Sequence, residues 1–143
     1  MSVELNTLAP GDIIWTKICI HLGDLAYKHA QSETSKKIKD REPIDRICVV
    51  LETNETSVQV TYFSTFHEAN DLPPTLDKDL WYPVQPAIQE GRYEPLPGWN
   101  VYEERAQWAS LRQKHKVTQQ KVYKFKETLP ADSVNAILRQ MKA

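Results

Sequence analysis

The chain is short of glycine and of cysteine. Four glycines stand against nine prolines among 143 residues. That balance excludes a collagen-like repeat and a flexible linker protein. A chain of this length buries a core without help from disulfides or metal. The two cysteines, Cys19 and Cys48, lie far apart and form no Cys-x-x-Cys pair. They read as buried free thiols in a reducing, cytoplasmic setting. Cys19 and His21 make a Cys-x-His pair, but no further ligands follow at a recognisable spacing, so neither a metal nor another cofactor is expected. The stretch Met1–Pro10 has an acid at Glu4 and neither a basic nor an apolar signal segment. No apolar run approaches the ~20 residues of a membrane helix, so no membrane partner is expected.

An excess of charge is also missing. Eighteen Lys and Arg meet nineteen Asp and Glu, for a formal net charge of −1. The sum hides a distribution. Residues 47–104 hold ten acids and two bases, whereas residues 105–126 hold seven bases and no acid. Near-neutrality therefore leaves room for a nucleic-acid partner on a locally positive face. The hydrophobic fraction of 41% and the charged fraction of 26% are those of a globular chain, and the length fits one domain spanning 1–143.

What is present is mostly β-forming. Leu8 to Asp12 is a turn signal, and the β-branched and aromatic run after it predicts a strand over 13–20. Residues 21–44 read as an insertion, either an irregular loop or a short helix around Leu22, Leu25 and Ala26. Residues 47–52 and 58–64 alternate or run apolar around Thr53 to Ser57, which predicts a hairpin with more than a two-residue turn. Prolines 73, 74, 83, 86, 95 and 97 exclude a long helix from 67 to 99, since each costs ~3 kcal/mol inside one. Trp81 to Val84 fits a short edge strand. Residues 100–112 fit a helix, or a loop entering a strand near Trp108 to Leu111. Val117 and Val122 to Phe125 read as strands. Val134, Ile137, Leu138 and Met141 follow the i, i+3, i+4, i+7 pattern and predict a helix over 131–141, with Pro130 and Asp132 at its start and Arg139 near its end. This order predicts a small, strongly bent β-barrel closed by a C-terminal helix.

Certain blocks match a known family in order. Pro10-Gly-Asp-Ile-Ile-Trp15 resembles the opening strand of the MazF/PemK/Kid toxins. Asp45-Arg-Ile-Cys-Val-Val-Leu51 resembles their second strand, with Ile47 where proline is usual. Val60-Thr-Tyr-Phe-Ser-Thr65 resembles the third, with Ser64 as the first of the paired hydroxyls. Residues 109–118 with 122–125 resemble the late strands, and Leu129 to Leu138 the final helix. The insertion after the first strand is longer here than in the family. The resemblance implies an SH3-like barrel, a homodimer, and metal-independent cleavage of single-stranded RNA to 2′,3′-cyclic phosphate and 5′-OH ends. It also implies an acidic antitoxin-like protein partner that competes for the RNA groove.

That chemistry needs a cation on the phosphorane, a hydroxyl donor and a proton carrier. By the resemblance, Arg46 is the cation and Ser64 or Thr65 the donor. A guanidinium titrates too high to serve as a base. His67 and His115 are histidines tuned for that task. Arg112, Lys114, His115, Lys116 and Lys121, interleaved with Trp108, Tyr123 and Phe125, form a candidate RNA-binding stretch. The same residues also support quieter roles. Arg46 can pair with Asp45 or Glu52, the hydroxyls can cap a turn, and lysines can protect a sheet edge. Trp15 is expected in the core. Two non-nuclease readings stand beside the enzyme. One is a catalytically silent barrel acting as a protein-interaction or regulatory module. The other is a tudor-like reader whose cage would draw on Trp81, Tyr82 and Trp99.

Overall fold

The computed structural model describes residues 1–21, 24, 42–66, 70–99 and 105–141. It is mainly β. Eight strands, all paired antiparallel, and a C-terminal helix lie among the described residues. The strands are β1 (Ser2–Glu4), β2 (Asp12–Ile18), β3 (Ile44–Thr53), β4 (Val58–Ser64), β5 (Trp81–Val84), β6 (Gln107–Ser110), β7 (His115–Val117) and β8 (Lys121–Thr128). The helix α1 spans Ala131–Met141. None of these elements is a helix long and apolar enough to cross a membrane.

The sheet runs β1-β8-β2-β3-β4-β6-β5, and β7 joins at β4. Strand β4 is the shared element. Val58 to Val60 face β7, whereas Phe63 and Ser64 face β6. The predicted hairpin is β3–β4, closed by Thr53 opposite Val58. Its four-residue connection is fixed by the Asn54 amide N–H donating to the Ser57 carbonyl at 2.9 Å. Trp81–Val84 is an edge strand, as the prolines require. The helix occupies the predicted residues. The alternative helix over 100–112 does not form in its described part, where Gln107 to Ser110 are extended. Residues 22, 23 and 25–41 of the predicted insertion lie outside the described residues.

Both faces of the sheet are apolar, which explains the unbroken runs at Ile13-Ile14 and Cys48 to Leu51. Successive side chains point to opposite faces. Ile14, Cys48, Val50, Val60, Tyr62 and Val122 build one core with Trp81 and Trp108. Ile13, Val49, Leu51, Phe63 and Leu129 build a second core, covered by Val134 and Ile137 of α1 and by Tyr93, Leu96 and Trp99 of the proline-rich segment.

Two expectations are corrected here. Trp15 is 43% exposed rather than in the core, because it lies on the second face beyond the part that α1 covers. Cys48 is buried, but Cys19 is exposed.

Candidate functional site

Strands β3, β4 and β7 bring Arg46, Tyr62 and His115 together on the inner face. Register does most of this work. Arg46 is opposite Thr16, Cys48 is opposite Tyr62, and Val60 is opposite His115. The His115 ring meets Tyr62 edge-on at 6.2 Å between centroids. Around Tyr62 lies a network of charged hydrogen bonds. Tyr62 Oη donates to Asp24 Oδ2 at 2.8 Å, Ser110 Oγ donates to the same oxygen at 3.2 Å, and Arg112 Nε donates to Asp24 Oδ1 at 2.7 Å. The Asp24 side chain is only 2% exposed, so its charge depends on these partners.

The electrostatics follow from burial. Desolvation lowers the Arg46 guanidinium below its ordinary value, against the opposing pull of Tyr62, Cys48 and Asp45. His115 is also lowered by desolvation, partly offset by Asp24. It is therefore neutral at pH 7 and able to accept a proton. Tyr62 is raised by burial and then by Asp24, so it keeps its proton. Burial likewise pushes the Cys48 thiol far up. Thus two guanidinium groups, one neutral imidazole and one carboxylate surround a protonated phenol.

Arg46 Nη1 also donates to the Asp45 carbonyl at 2.9 Å. The other predicted site residues fall elsewhere. Ser64 ends β4 opposite Trp108. Its Oγ accepts the Phe66 N–H at 3.2 Å, in a turn where Phe66 has a φ of 47°. Thr65 is half-buried directly after β4. His67 lies outside the described residues. Lys114 Nζ pairs with Glu52 Oε1 at 2.6 Å. Lys116 is exposed opposite Gln59, and Lys121 is exposed opposite Glu4. The late basic stretch is therefore not one surface. Arg112 and His115 turn inward, Lys116 and Lys121 turn outward, and Trp108 is buried in the core.

The residues that sequence reasoning passed over are Asp24, Tyr62 and Ser110. Tyr62 had a signal: it continues the inward row of Val58 and Val60, and a buried tyrosine hydroxyl needs a partner. Gln119 is a fourth omission, accepting from Thr16 Oγ1 at 2.6 Å.

The remaining candidates have structural explanations. Trp81 and Trp99 belong to different cores, and Tyr82 stacks on Tyr93 at 4.6 Å, so the three do not line one cage. Among the described residues, no three His, Cys, Asp or Glu side chains gather as a metal-ligand set. A scan for known protein families, a search of curated proteins and a search of solved structures each returned no match.

Proposed function

We propose that the chain is a metal-independent endoribonuclease of the MazF/PemK type, an SH3-like barrel that acts as a homodimer on single-stranded RNA. The observation that carries this reading is the approach of Arg46 and His115 to Tyr62 from two different strands. The neutral His115 takes the proton from a ribose 2′-OH. That oxygen attacks the adjacent phosphorus, and Arg46 neutralises the charge developing on the phosphorane oxygens. The P–O5′ bond breaks, and the departing oxygen takes a proton from water. A 2′,3′-cyclic phosphate and a 5′-OH result. Arg112, held on the Asp24 carboxylate, keeps the corner favourable to anions. An acidic antitoxin-like segment would compete for that charge.

A second reading is favoured by one observation. The Ser64 hydroxyl, offered as the donor, is engaged with the Phe66 N–H. That suits a catalytically silent barrel serving as an interaction module.

One experiment separates the two. Single-stranded RNA is incubated in EDTA with the wild-type chain and with Arg46→Ala, and the ends are analysed. The nuclease reading expects cyclic-phosphate ends and a rate reduced roughly 100-fold or more in Arg46→Ala. Intact RNA in both reactions overturns it in favour of the silent barrel.

A further inference from the structure

The donors and the acceptor of the Asp24 network come from different parts of the chain. Tyr62 stands on β4, Ser110 ends β6, and Arg112 follows closely after β6. Asp24 comes from the connection between β2 and β3, where its N–H donates to the His21 carbonyl at 3.0 Å. Ser110 Oγ accepts the Arg112 N–H at 3.4 Å and turns its own proton to Asp24 Oδ2. Burial keeps the Tyr62 phenol protonated, so Tyr62 also acts there as a donor. With Arg112 Nε, three donors converge on one carboxylate. Tyr62 and Ser110 are buried, while the Arg112 side chain is 26% exposed, so the corner reaches solvent on that side.

A guanidinium with hydroxyl donors is what a phosphate group needs, because each N–H or O–H meets one anionic oxygen. The Asp24 carboxylate presents the same single negative charge as a phosphodiester, on two oxygens. Arg46 and His115 stand at the same phenol, so a second guanidinium adds to the field there. Taking the carboxylate away leaves two buried hydroxyls without their acceptor, which is costly unless another anion enters. A purely structural ion pair would leave a hole that only a carboxylate fits. A phosphate subsite would take the larger, tetrahedral anion through its solvent side.

We propose that the corner of Tyr62, Ser110 and Arg112 is a phosphate subsite, and that Asp24 is the internal anion that fills it. The ligand is a phosphate group, either free or in a nucleic-acid backbone. On the RNA reading above, on which this consequence rests, Asp24 is an autoinhibitory contact that keeps a phosphate of the strand out. The subsite itself does not depend on that reading.

The test follows the thermal midpoint of the full chain in inorganic phosphate, in formate and in chloride at one ionic strength. In Asp24→Ala, phosphate should raise the midpoint saturably. It should bind roughly 10-fold or more tightly than in wild type, where the carboxylate stands in its place. Phosphate also stabilises proteins generally through exclusion from their surface, an effect that grows without saturating. Adding Arg112→Gln to Asp24→Ala should keep that general effect and weaken the saturable one roughly 10- to 150-fold. If Asp24→Ala is unfolded in chloride, phosphate should refold it. Absence of a saturable phosphate effect, or no refolding in phosphate, overturns the proposal. Rescue by formate but not by phosphate overturns it as well, because the hole then fits a carboxylate only. A ten-nucleotide single-stranded RNA is then set in competition with phosphate on Asp24→Ala. Displacement assigns the subsite to the RNA backbone, and Asp24→Ala should then cleave faster than wild type at low RNA concentration. Phosphate binding that RNA does not displace upholds a subsite for free phosphate and overturns the inhibition. Phosphate binding by a chain that never cleaves RNA upholds the subsite and defeats the nuclease reading. Cleavage by wild type with no phosphate effect in Asp24→Ala defeats the subsite alone.

Discussion

Tyr62 donates a hydrogen bond from its hydroxyl to Asp24 Oδ2 across 2.8 Å, and the two residues are 38 positions apart in the chain. This bond, with those from Ser110 and Arg112, holds a carboxylate inside the molecule. Removing one partner of a buried pair leaves an uncompensated charge. Arg112→Ala should therefore lose about 3–5 kcal/mol, read as a lower urea midpoint with unchanged slope. The double replacement Asp24→Leu with Arg112→Leu should recover only part of that loss, because no charge is then stranded but the buried Tyr62 and Ser110 hydroxyls lose their acceptor. By contrast, Lys17→Ala breaks an ion pair whose side chains are 58% and 43% exposed, and it should cost less than about 1 kcal/mol.

The sequence made the strands and the helix legible because both follow from local periodicity. Val134, Ile137, Leu138 and Met141 announce a helical face without any knowledge of what covers it. The alternation of Val58 and Val60 does the same for β4. Strand β1 was not foreseen: at three residues, Ser2–Glu4 is too short to show a period. Trp15 was misplaced for a different reason. Its strand is buried on both faces at Ile13 and Ile14, and only the position of α1 decides where the cover stops. The Asp24–Tyr62–Arg112 network was invisible because its members are brought together by topology, with no fixed spacing between them. Arg46 was legible through resemblance alone, and the tilt of His115 toward Tyr62 depends on the register of β7 against β4.

Gly11 is the sharpest backbone requirement. Its φ is +96°, and a Cβ there would stand 2.5 Å from the Leu129 carbonyl oxygen. The residue also ties three elements together. Its N–H donates to the Val50 carbonyl at 2.8 Å, and its carbonyl accepts the Leu129 N–H at 2.8 Å. Gly11→Ala should destabilise by more than about 1 kcal/mol, with the loss read as a lower thermal midpoint. An unchanged midpoint would show that the β2 entry and the chain before α1 can shift apart freely.

The two thiols should behave differently toward a thiol reagent. Cys19 is exposed, whereas Cys48 has no exposed surface and a thiol that burial keeps protonated. Thiolate is the reactive form. One equivalent should react quickly at pH 8 and the second only as fast as the chain opens. Cys19→Ser should abolish the fast phase, while denaturant should accelerate the slow one. Two fast equivalents in the native wild type would contradict the packing of β3 against β4.

His115 supplies the pH dependence. Burial lowers its folded-state value below the ordinary 6.5. Between 6.5 and that lower value, the unfolded chain therefore binds more protons than the folded one. Stability rises with pH wherever this holds. The contribution is fully present above pH 6.5, falls as the pH drops below it, and levels off once the folded-state value is passed. Thermal midpoints measured from pH 7.5 down to 5 should show that decline. His115→Gln, which cannot titrate, should flatten it. Cleavage carries the same signature on the nuclease reading, because only neutral His115 accepts the 2′-OH proton. The rate should develop an acid limb below pH 6.5, and His115→Gln should lower the plateau and remove the limb. A limb that survives in His115→Gln would assign the proton transfer to another group and leave His115 as a packing partner of Tyr62.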